Sequence, residues 1–153
     1  MILLAHMMFG AALGYTVFNT THNIVLAVIA ALLGHYFLDL FPHVEYSVTH
    51  IKGKVWKKSF SDFVKVFFDF LLGLLLIFIF SKNDPKIYLY AFITLIPDGL
   101  TIISSIFPNP PMELHDEFHN KRVHFLKYKK ISNFWRILTQ VLAVIISILL
   151  LRS

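Results

Sequence analysis

The chain has 153 residues, 57% of them hydrophobic and 15% charged, with a mean hydropathy of +0.69. That balance excludes an ordinary soluble domain of this size and fits one all-α integral membrane helical bundle spanning residues 1–153. No cysteine is present, so a disulfide framework and a thiolate metal site are both excluded. The formal charge of +5 comes without any nucleic-acid-reading motif; nucleic acid is not an expected partner, and the charge reads as basic loops that hold a membrane orientation.

In chain order, the first apolar segment runs from Ile2 to Phe18 and lacks a basic leader, so it is expected to stay in the mature protein. Residues 19–23 form a polar turn, and a second apolar segment, 24–41, completes a helical hairpin over 1–41. A basic loop follows, with Ser59 or Ser61 as candidate caps of a third helix that ends near Phe80. The turn Ser81-Lys82-Asn83-Asp84-Pro85 leads into a fourth segment, 87–107, interrupted by Pro97, so residues 60–107 make a second hairpin. Residues 112–130 are a polar, amphipathic segment rich in His and Lys, and 133–151 is a last span. The expectation is about five transmembrane helices.

Basic residues set the orientation. Lys52, Lys54, Lys57, Lys58, Lys121, Arg122, Lys127, Lys129 and Lys130 fall on one side of five spans; Lys82, Lys86 and Arg152 fall on the other. The positive-inside rule makes the first side cytoplasmic, with the N-terminus inside a multi-pass inner membrane protein and the C-terminus outside.

The ionisable residues of the apolar segments gather at that cytoplasmic end. His35, Asp39 and His43 are spaced by four, one stripe of a helix, although Pro42 ends or bends it. His6, Asp69 and Asp98 are expected in the same leaflet. Ionisable side chains at this depth face a bundle interior or a wet cavity, and imidazole with carboxylate is a metal-ligand vocabulary. The predicted metal ligands are therefore His6, His35, Asp39, His43 and Asp98, with Asp69 as catalytic base, though Lys65, four residues before it, offers a plain ion pair. The cofactor is a divalent metal, zinc first, then manganese or iron. His115-Asp116-Glu117-Phe118-His119 resembles the H-E-x-x-H zinc helix with Asp116 at the glutamate position, which leaves open whether His115 and His119 join the site. His124 with its lysine neighbours reads as an amphipathic helix on anionic lipid, and His22 and His50 as solvated.

The hairpins also resemble each other. His6-x-x-x-Gly10 parallels Asp69-x-x-x-Gly73, and the stretch ending at Asp39 parallels the one ending at Asp98. This predicts a parallel internal repeat about an axis along the membrane normal.

Ala5-His6-Met7-Met8-Phe9-Gly10 together with the run from Gly34 to His43 resembles the small prokaryotic membrane proteins related to the membrane-bound metal-dependent hydrolases. The family's P-D-x-D-H run stands here as Leu38-Asp39-Leu40-Phe41-Pro42-His43, and its later H-R-x-x-x-H element is not evident. The resemblance implies a metal site at His6, Asp39 and His43 and hydrolase activity. The expected function is hydrolysis of a membrane-associated ester or phosphoester, with membrane lipid and a lipid-like or phosphoester substrate as partners. A non-enzymatic ion or proton pathway, or a lipid-binding scaffold, is the alternative.

Overall fold

The computed structural model describes residues 2–45, 50, 56–126 and 129–153, with side chains at 56–58 left aside. Among them there are seven α-helices and one π-helical turn, and no strand. α1 is Leu3–Thr21 and α2 is Ile24–Asp39. His22 closes α1 in the left-handed region (φ 53°), donating its amide to Phe18 O. The Asn23 carboxamide then accepts the Val25 and Leu26 amides and starts α2. α3 is Trp56–Phe80, so Ser59 and Ser61 lie inside the helix rather than capping it.

Asp84 caps α4, Pro85–Ile93, and α5 is Ile96–Ile106. The axes of α4 and α5 bend by 42°. The cause is Pro97, which cannot donate to Ile93 O and so breaks the hydrogen-bond ladder where the sequence places it. Asn109 caps α6, Pro110–Glu117, and the π-helical turn, Phe118–Val123, continues it. α7 is Asn133–Arg152.

α1 is the central helix, touching α2, α3, α4 and α7. Small buried residues (Ala5, Gly10, Ala11, Ala12, Gly14) let its neighbours come close. A Cβ on Gly14 would lie 2.6 Å from Tyr90 Cγ, and one on Gly10 would overlap the Thr94 side chain. These two contacts run α4 antiparallel to α1. Asp69 at Leu4 and Gly73 at Met7 run α3 parallel to α1. Direction thus alternates between the long helices.

Their outer surfaces are apolar. α3 exposes Phe60, Phe63, Phe67, Phe68, Leu75 and Phe78; α7 exposes Phe134, Trp135, Val141, Leu142, Ile145 and Leu149. Residues 59–80 and 133–152 form helices long and apolar enough to cross a membrane, and α4 with α5 makes a third if the bent pair is one span. This marks a membrane protein of two to three evident spans among the described residues. α2, at 16 residues, is about 24 Å long and short of the ~30 Å hydrocarbon core. The five-span count therefore goes beyond what helix length establishes. Nor do the hairpins match in shape: α2 is unbroken and ends at Asp39, whereas the second hairpin breaks before Asp98 and runs on to Ile106.

Candidate metal centre

At one end of the bundle five imidazoles surround one carboxylate. Asp39, at the last residue of α2, is fully buried. His35, one turn earlier, places Nε2 3.0 Å from Asp39 Oδ2. His6, on the first turn of α1, places Nε2 3.1 Å from Oδ1 and stacks on the His35 ring, centroids 4.0 Å apart. His43, just past Pro42, has Nε2 3.7 Å from Oδ1. His119 and His124 each bring Nε2 to 3.1 Å of Oδ2. Asp98 Oδ1 stands 3.8 Å from His35 Nε2. Five of these residues come from the apolar segments and their ends; the π-helical turn and the residue after it supply His119 and His124.

The turn explains how. Five residues separate His119 from His124, which on an α-helix would point them well apart. In a π-helical turn the repeat lengthens to an i→i+5 bond, and the His124 amide donates to His119 O at 3.1 Å. Both rings therefore fall on the face turned towards Asp39.

Hydrogen bonding alone does not satisfy this arrangement. His43 Nδ1 donates to Phe41 O at 2.7 Å. A carbonyl only accepts, so Nε2 of a neutral His43 is a bare lone pair, and it faces Glu45 Oε1 at 3.0 Å. His35 Nε2 and His119 Nε2 are 3.1 Å apart, and two N–H groups cannot point at each other. His6 Nδ1 has no hydrogen-bond partner, and Nε2 meets only Asp39 Oδ1. Lone pairs converging on carboxylate oxygens need a proton or a metal ion between them. For metal–ligand bonds of about 2.1 Å, neighbouring ligand atoms sit ~3.0 Å apart in an octahedron and ~3.4 Å in a tetrahedron. The separations of His6, His35, His119 and His124 from Asp39, 3.0–3.1 Å, match the octahedral value, while those of His43 from Asp39 and of Asp98 from His35, 3.7 and 3.8 Å, are longer. Two groups can hold a metal ion: His35, Asp39, Asp98 and His119, and Asp39, His43 and His124.

The surroundings orient the ligands. Thr101 Oγ1 lies 3.1 Å from His119 Nδ1, which leaves Nε2 for a metal when Nδ1 donates. Glu45 Oε1 lies 3.0 Å from His124 Nδ1 in the same relation. Burial lowers the His124 pKa, but the Asp39 and Glu45 carboxylates outweigh burial and push it up to about 9. From α7, Arg136 Nη1 donates to His43 O at 3.0 Å, Gln140 Nε2 donates to Val44 O at 2.7 Å, and the Thr139 hydroxyl donates to Pro42 O. These bonds pin residues 42–44 under the cluster.

Of the predicted site residues, His6, His35, Asp39, His43 and Asp98 meet. Asp69 belongs to neither ligand group; its Oδ2 accepts the Leu4 amide at 3.1 Å. Lys65 does not pair with it but approaches Asp62 at 3.9 Å, and Asp62 also takes the His50 amide at 3.1 Å. His115 gives its Nε2 to Tyr36 Oη at 3.1 Å, so the H-D-E-F-H element splits, with only His119 entering a ligand group. The sequence pattern leaves His119 open and places His124 on an amphipathic helix at anionic lipid. The signal for both was topological: their segment lies on the same side as Asp39.

Comparison with protein-family models, with curated proteins and with solved structures finds no match for this chain.

Proposed function

We propose that this protein is a metal-dependent membrane hydrolase that cleaves a membrane-associated ester or phosphoester at the cytoplasmic face. The observation that carries the reading is the convergence of five imidazoles on the Asp39 carboxylate at one end of an apolar bundle. In this reading the bundle crosses the inner membrane five times with the N-terminus cytoplasmic. The metal is zinc, with manganese or iron as substitutes, since imidazole and carboxylate together suit these better than calcium.

A divalent ion in such a ligand set supplies Lewis-acid activation of water and of the scissile group. The chain's residues do the rest. Asp39 and the imidazoles hold the ion away from bulk water. Asp98 and Glu45, whose side chains are 29% and 26% exposed, stand where water can reach. Glu45 accepts the proton as water adds to the phosphorus or carbonyl carbon; the ester bond breaks and the proton passes to the leaving alkoxide. Asp69, held by the Leu4 amide two residues before His6, fits positioning of α1 better than proton transfer. Beside the π-helical turn an open cavity of about 450 Å³ is lined by Leu114, Glu117, Phe118, Lys121 and Arg122. Its apolar and cationic sides suit a lipid headgroup.

The test is metal analysis and ester and phosphoester hydrolysis by purified protein, wild type against Asp39→Asn. Wild type should carry stoichiometric metal and turn over a substrate. Asp39→Asn should lose both while keeping its helicity. Metal-free, inactive wild type would leave the scaffold reading in its place.

A further inference from the structure

We propose that the centre holds two metal ions bridged by the Asp39 carboxylate, and that the substrate is an anionic phosphoester rather than a neutral ester. This rests on the metal reading above and deepens it. The two ligand groups share Asp39 and nothing else: His35, Asp98 and His119 complete one, His43 and His124 the other. Within each group the ligand atoms lie within 4.8 Å of one another. Together with His6 they make seven residues, more than the four to six ligands that one ion of this kind accepts.

Both oxygens of the shared carboxylate are engaged. Oδ1 faces His6 at 3.1 Å and His43 at 3.7 Å; Oδ2 faces His35 at 3.0 Å and His119 and His124 at 3.1 Å, so Oδ2 meets ligands of both groups. Paired ions about 3.5–4 Å apart are the usual clamp for displacement at phosphorus. The groups also enter from different elements. One is built from α2, α5 and the start of the π-helical turn. The other is built from residues 42–45 and the residue that follows that turn.

Charge decides the substrate. Asp39, Asp98 and Glu45 bring three negative charges. A single divalent ion, with the second group holding a proton instead, would leave the site near neutral; two leave it with one positive charge, which attracts a phosphate. A neutral carboxylic ester gains nothing from that excess.

The protein, purified in detergent and stripped with chelator, is titrated with Zn²⁺ and separately with Mn²⁺. Bound metal per chain is measured for both, and Mn²⁺ is followed by electron paramagnetic resonance. Two ions per chain and an exchange-coupled manganese spectrum are expected. His43→Gln with His124→Gln should drop the content to one ion and give an isolated manganese signal. One ion per wild-type chain with an isolated signal overturns the bridged pair but spares the metal reading; no bound ion overturns both. A double variant that elutes and absorbs as a folded helical protein yet still holds two ions also overturns the pair. If that variant does not fold, the wild-type stoichiometry and spectrum decide alone.

Discussion

The Thr101 hydroxyl carries a consequence out of proportion to its size. It meets His119 Nδ1 inside the bundle, and removing it frees the ring to change tautomer and rotate. Outer partners of this kind change metal affinity by about 10–100-fold. Thr101→Val keeps the volume, so it should weaken metal binding by about that factor, read by competition with a chelator, without lowering thermal stability in the stripped protein. Asp84 tests a residue outside the centre. Its carboxylate accepts the Lys86 amide at 2.9 Å and meets Lys86 Nζ at 3.3 Å, which holds its carboxyl below the usual range. A depressed folded pKa gives stability that is full above the unfolded value of about 4 and is lost as pH falls through the folded one. Asp84→Ala should therefore cost about 1 kcal/mol near neutrality. The difference from wild type should vanish in unfolding measurements taken below the folded pKa.

Among elements, α1 and α4 decide where the break in the fourth segment sits relative to the histidines. Pro97 makes a break, but the close approach of Thr94 to Gly10 fixes its level one turn from His6. Gly10→Val forces the helices apart. Over-packing of this kind costs about 1–3 kcal/mol, and the displaced Asp98 should loosen its group of ligands. Lower melting temperature together with reduced metal content is the expected outcome; unchanged metal content would separate the break from the centre. The π-helical turn is the other element that matters. As an α-helix, residues 112–124 would present His115 and His119 together, the pairing that the H-E-x-x-H pattern suggests. His115 and His119 do stay stacked, ring centroids 5.5 Å apart, and the wider turn adds His124 beside His119 at 4.7 Å.

For the whole molecule, the polar end and the basic end coincide. The apolar rows of α3 and α7 face outward, and Arg136 and Lys129 sit at the same end as His43. Topology reporters fused at Lys57 and after Ser153 should lie on opposite sides of the membrane, with Lys57 inside. Finding both on one side would remove the five-span arrangement and the cytoplasmic opening with it.

Sequence alone determined the helical class, the membrane character and the interruption at Pro97, because each is local: apolar runs, missing charge and a residue without an amide hydrogen. It also brought His6, His35, Asp39, His43 and Asp98 towards one another, because alternating helix directions send their segment ends to one end of the bundle. Tertiary structure decided the rest. Asp69 was placed in the right layer by counting turns, but which partner it meets depends on how α3 leans on α1, and there it finds the Leu4 amide. His119 and His124 become neighbours only because a π-helical turn shifts the repeat, and the Asp39 carboxylate lies between them only because α2 ends under that turn. Periodicity assumes one helix geometry throughout, so ligands brought together by a change of geometry are invisible to it.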